Sequence, residues 1–160
     1  MDDHLFNKIL ENAYTLGQLR HRVRLLKEYL YHQIFAATQP QPQFEPVDSS
    51  WLNSLDKTFL AMFNKDNVDK TFENTEATLD TLKPLIIYIA FPPTEELIAQ
   101  IGFFLRNNLK NHKLFEIRVD PNLVAGCALS FKGIYKDYSL RMLIQSKRAE
   151  ILASFKKYIK

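Results

Sequence analysis

At Leu85 the spacing of apolar residues changes from the three-and-four interval of a helix to the unbroken β-branched and aromatic run LIIYIAF. That change restricts the chain to a mixed architecture, helical first and sheet-forming second. Upstream, Leu5, Ile9, Ala13, Leu16, Leu19, Val23, Leu26, Leu30 and Ile34 make one stripe of an amphipathic helix over residues 3–37. Gly17 either divides that helix or sits inside a continuous rod, since an interior Gly costs only about 1 kcal/mol relative to Ala. The stripe is close to a heptad but spans about four repeats, short for a coiled coil, so packing into a small helical bundle is expected. Prolines at 40, 42 and 46 remove backbone donors and hold their predecessors extended, which marks a linker at about 38–49. Ser50 is then expected to cap a helix carrying Trp51, Leu52, Leu55, Phe59, Met62 and Phe63, and a weaker helix carries Val68, Phe72, Leu79 and Leu82.

Beyond the LIIYIAF strand, closed by Pro92 and Pro93, Thr94 caps a helix with Glu95 and Glu96 at its dipole-positive start and Leu97, Ile98, Ile101, Leu105 and Leu109 inside. LFEIRV at 114–119 reads as a strand. Residues 126–131 and 134–138 read as a hairpin turning at Lys132 and Gly133, with Gly supplying a positive φ. Ser139 opens a final helix whose Leu140, Leu143, Ile144, Ile151, Leu152, Phe155 and Ile159 are expected to be buried, and Lys156, Lys157 and Lys160 suit its C-terminal end. The expected fold class is therefore α+β. An all-helical N-terminal domain, 1–82, precedes a small C-terminal domain, 83–160, of strand-helix-strand-hairpin-helix order.

A length of 160 residues accommodates two such small domains. Residues 1–82 hold 8 Lys/Arg against 12 Asp/Glu, a balance of −4, and residues 83–160 hold 13 against 6, a balance of +7, so the halves are expected to meet different partners. No apolar run approaches the roughly 20 residues of a membrane helix, so no direct membrane insertion is expected. The acidic start MDDHLFNK lacks the layout of a secretion signal, and an unprocessed cytoplasmic protein follows as the expectation.

A search for chemistry finds little. Gly17, Gly102, Gly126 and Gly133 are too scattered for a phosphate loop, and His4, His21, His32 and His112 lack the paired helical spacing of a zinc site. Cys127 has no second Cys and no cationic neighbour in sequence to activate it. No catalytic, cofactor-binding or metal residue is assigned. The terminal SKRAEILASFKKYIK loosely fits a basic nucleic-acid footprint, but its apolar residues lie where a helix core needs them, and no nucleic-acid partner is expected.

Residues 91–151 resemble, with the flanking 83–158, the C-terminal region of the delta/OSCP subunit family of F-type ATP synthases. Val119, Asp120, Pro121, Leu123, Val124 and Gly126 match that family's Val-Asp-Pro-x-Leu-Ile/Val-Gly-Gly block, and Asp137, Ser139, Leu140 and Arg141 match its Asp-x-Ser-Val/Leu-Arg element in order and spacing. Ala125 stands where the family has its first Gly, Lys132–Gly133 replaces Gly-Asp, and residues 1–82 are shorter than the family's six-helix bundle and show no match to it. Asp120, Pro121, Gly126, Asp137, Ser139 and Arg141 read as mainly structural: a turn, a close backbone approach, a helix cap, and an Arg141–Asp137 pair.

The resemblance implies a non-catalytic peripheral-stalk subunit at the cytoplasmic face of an energy-transducing membrane. The N-terminal helices would hold N-terminal segments of the alpha subunits, and the C-terminal domain would hold the C-terminal helix of the b-type stalk subunit, resisting rotor torque during proton-driven ATP synthesis. Lys147, Arg148, Lys156 and Lys157 are the candidate contacts to an acidic stalk segment. The competing readings are an E-like peripheral-stalk subunit of the V/A type, a basic nucleic-acid-binding module and an unrelated helical adapter.

Overall fold

The long N-terminal stripe folds as two helices, α1 (Asp3–Leu10) and α2 (Leu16–Phe35), in a computed structural model that describes residues 3–11, 13–36, 40, 42–109 and 114–158. The break falls ahead of Gly17 because Thr15 and Gln18 form a capping box. The Thr15 hydroxyl accepts from the Gln18 N–H at 3.1 Å, and Gln18 Oε1 accepts from the Thr15 and Tyr14 N–H groups at 3.2 and 3.0 Å. Residue 37 and linker positions 38, 39 and 41 lie outside the described residues, as do His112, Ile159 and Lys160.

The next helix, α3 (Pro46–Asn53), begins inside the expected linker, with Glu45 rather than Ser50 as its N-cap. Pro46 occupies the first turn, where its missing N–H costs nothing and its fixed φ is already helical. Ser54 ends α3 by turning its hydroxyl onto the Trp51 carbonyl at 2.6 Å, so Phe59 falls on a separate short helix, α4 (Lys57–Leu60), before α5 (Val68–Thr81).

The chain divides into two units, Met1–Leu82 and Lys83–Lys160. In the first, Ile9, Leu19, Val23, Leu26, Leu30, Leu52, Phe59, Val68, Phe72 and Leu79 form the core. Arg20 pairs with Asp80 at 2.9 Å and Lys27 with Glu76 at 3.0 Å, so α2 and α5 run antiparallel, each exposed pair adding about 0–1 kcal/mol. Arg22 donates to the Ile9 and Glu11 carbonyls at the end of α1 and lies 5.1 Å from the Trp51 ring, joining three helices through one side chain.

The second unit contains a four-stranded mixed sheet of order β2-β1-β3-β4, from β1 (Leu85–Ile89), β2 (Phe115–Val119), β3 (Cys127–Phe131) and β4 (Ile134–Asp137). β1 pairs parallel with β2, which requires the crossover helix α6 (Glu95–Asn108), and antiparallel with β3. Leu85, Ile87 and Ile89 alternate inward with Phe115 on the buried face, while Ile86 and Tyr88 are half-covered on the other, so β1 is buried on one side rather than both. The Thr94 hydroxyl caps α6 by accepting from the Leu97 N–H at 3.3 Å. Leu109, expected inside, closes the helix and is exposed.

The hairpin turns at Lys132 and Gly133 with φ of 49° and 81°. Two left-handed central residues between the paired Phe131 and Ile134 are the pattern of a type I′ turn, in which Lys is strained and Asn is not. Lys132→Asn is therefore expected to stabilise the chain by about 0.5–1 kcal/mol, read as a higher urea midpoint at unchanged slope.

The terminal helix divides at Lys147 into α7 (Leu140–Ser146) and α8 (Arg148–Tyr158). Its stripe is not buried: Leu140, Leu143, Ile144, Ile151, Leu152 and Phe155 are all exposed, from 36% at Ile151 to 60% at Phe155. Amphipathic spacing defines an apolar face, but here the core of the unit is closed by Leu105, Ile87, Phe115 and Ala128 without it.

Candidate functional site

The residues of the two matching sequence blocks meet where the hairpin feeds into α7. Asp120 starts the turn after β2: its N–H donates to the Ile89 carbonyl at 2.8 Å, and its carboxylate accepts from the Asn122 N–H at 3.0 Å. Pro121 occupies the exposed next position of that turn. The chain then passes Ala125 and Gly126, both left-handed at φ of 62° and 83°. This double reversal brings Gly126 against the start of α7, where a Cβ would lie 2.5 Å from the Tyr138 carbonyl oxygen and 3.0 Å from Ser139 Cα.

Two backbone bonds lock the joint and a side-chain cap opens the helix that follows it. Tyr138 N–H donates to Cys127 O at 2.9 Å, Leu140 N–H donates to Ala125 O at 3.1 Å, and the buried Ser139 hydroxyl accepts from Met142 N–H at 3.4 Å. Asp137 accepts from the Ser139 N–H at 2.7 Å, so its close partner is Ser139 rather than the expected Arg141. Hydrogen bonds from the Ser139 hydroxyl and backbone hold the Asp137 carboxyl below its ordinary value, and the Arg141 charge adds the smallest contribution.

Because that folded-state pKa is depressed, Asp137 contributes stability that is present above the unfolded carboxylate pKa and lost as pH falls through the folded one. In acid titrations followed by circular dichroism, Asp137→Asn is expected to lack this component. The gap between the two proteins should close as pH drops through and below the ordinary carboxylate range.

Beside the joint lies an open, mainly apolar groove of about 570 Å³, lined by Ala125, Gly126, Ser139, Leu140, Leu143 and Ser146 among others. A second hollow of about 340 Å³ follows along α8 at Glu150, Ile151, Ser154 and Phe155. Lys147 and Arg148 fall along the chain between the residues that line the two, at the end of α7 and the start of α8, and Lys156 and Lys157 stand on the last turn of α8. All four are exposed, and with Arg141 they set five cations against the single carboxylate Glu150 along α7 and α8.

Two contributors to this surface were not signalled by the helical stripe. Met142 and Tyr138 line the groove off the expected face, Tyr138 because it ends the hairpin and Met142 because it is exposed beside the start of α7. Phe103 and Phe104 on α6 are also exposed, and the one available signal was that they fall between the inward positions Ile101 and Leu105. Among the described residues no helix is long and apolar enough to cross a membrane. No protein-family model matches the chain, and no curated protein matches it.

Proposed function

We propose that the chain is a non-catalytic peripheral-stalk subunit of the F-type rotary ATP synthase, a bracket that holds the b-type stalk helix through its second unit and the N-terminal segments of the alpha subunits through its helical first unit. The observation that carries this reading is the uncovered track along α7 and α8. It is apolar, flanked by cations and anchored to the sheet by the Gly126–Ser139 joint, and it runs along the residues that resemble the delta/OSCP family. A torque-resisting bracket needs a stiff attachment and an apolar face for a partner helix, and helix-in-groove docking uses apolar anchors at helical spacing with charge at the rim.

The test is retention of the full chain by the purified b-type subunit of the same complex across a salt series. Simultaneous Lys147→Glu, Arg148→Glu, Lys156→Glu and Lys157→Glu substitutions are expected to weaken retention by about tenfold or more and to flatten its salt dependence. Retention that is unchanged in strength and in salt slope overturns the reading.

A further inference from the structure

The two apolar hollows are separated by charge. Leu140, Leu143 and Ser146 line the first, Ile151 and Phe155 with Glu150 and Ser154 the second, and Lys147 and Arg148 occupy the joint between α7 and α8, two cations against that one carboxylate. A partner that is apolar along its whole length would strip water from both cations and return nothing for it. A partner with a carboxylate at that point would compensate them, and would do so in one register only.

We infer that this track takes a single amphipathic helix whose apolar stripe is interrupted midway by a carboxylate, which pairs with Lys147 and Arg148 and sets the register of the docked helix. That the occupant is a helix rests on the bracket reading above. The position and sign of its central charge come from this surface alone. A lone polar group inside an apolar seam is an established means of fixing register, because every shifted alignment leaves it unpaired.

The surface argues against two other occupants. A second copy of this chain presenting the same two helices would bring five cations and one carboxylate against the same set. A lipid surface meets a helix in one plane, whereas the first hollow is an open groove shared between two segments, one with Ala125 and Gly126 and the other with Leu140 and Leu143.

The experiment uses the full chain and three fluorescent synthetic peptides of about 21 residues, six helical turns, each with Leu and Ile at helical spacing. One carries Glu at the centre of its stripe, one carries the Glu moved by about one turn along the stripe, and one carries Gln at the centre. The central-Glu peptide is expected to bind about tenfold more tightly than the other two at low salt. The Lys147→Glu/Arg148→Glu chain is expected to invert the preference in favour of a fourth peptide with Lys at the centre. Circular dichroism confirms that the variant is folded.

Equal affinity for the three peptides, or absence of the inversion, overturns the inference. So does self-association of the chain that Lys147→Glu/Arg148→Glu abolishes, or capture by vesicles with about a third anionic lipid in preference to the peptides. Discrimination among the peptides without retention by the b-type subunit upholds the register charge and removes the stalk reading. Retention by the b-type subunit that is indifferent to Lys147→Glu/Arg148→Glu but lost in the fourfold variant does the opposite.

Discussion

Gly126→Ala is expected to unfold the second unit at markedly lower denaturant than the parent chain, a loss of about 3 kcal/mol. Two penalties coincide. A left-handed φ of 83° is costly for any residue with a Cβ, by about 1–2 kcal/mol. The added carbon also meets the Tyr138 carbonyl oxygen at 2.5 Å, and that oxygen belongs to the backbone, so no side chain can swing aside to relieve it. Relief would require moving the start of α7 away from Ala125 and breaking the Leu140-to-Ala125 hydrogen bond. Loss of the sheet signal in urea titrations, together with weaker retention by the b-type subunit, is the expected result. A midpoint within error of the parent would show that the Gly126–Ser139 contact is not structural.

The comparable site in the first unit is Phe72, for which Phe72→Ala is expected to cost about 3–5 kcal/mol. Its ring is fully buried on α5, lies 6.1 Å from Phe63 in a near-parallel stack, and has the Lys27 ammonium 5.9 Å from its centroid. Truncation leaves a cavity bordered by α2 and α5, and the exposed Lys27–Glu76 and Arg20–Asp80 pairs on those helices are too weak to offset it. A fall in the thermal midpoint of the helical signal at 222 nm would report this loss, and Phe72→Leu should recover most of it.

Much of the second unit was legible because local chemistry and global fold agree there. Thr94 and Ser139 cap the helices they precede, the Asp120–Pro121 turn accepts the Asn122 amide, and Lys132–Gly133 turns the hairpin. The capping box at Thr15 and Gln18 was equally present in the residues, but the long stripe on either side of it outweighed the signal. Pro46 likewise reads as a linker residue until the N1 position is considered. The left-handed conformation of Ala125 is signalled only indirectly, by its Gly126 neighbour and by its standing where the resembling family has Gly, since Ala itself gives no cue.

The terminal helices show a different limit. Periodicity marks Leu140 through Phe155 as apolar at helical spacing, but the burial expected from it is absent, because spacing along one helix does not encode whether the rest of the chain packs over it. For the same reason the basic residues of the candidate surface were identifiable, while the groove beside Gly126 was not. A groove depends on two segments meeting, here residues 125–126 and 139–146, and spacing along one segment does not encode that.

The sheet order has a consequence for how this unit is made on the ribosome. β1 is synthesised first and ends in the middle, pairing with β2 on one side and β3 on the other, so one of its edges stays open until Val119 has emerged and the other until Phe131 has. LIIYI is the kind of segment that recruits neighbouring chains while it waits. It is bracketed by Pro84 and by Pro92 and Pro93, which cannot donate to a growing ladder and confine any intermolecular pairing to a short stretch. The prolines that mark the ends of this strand thus also guard the nascent polypeptide during the interval before its native partners arrive.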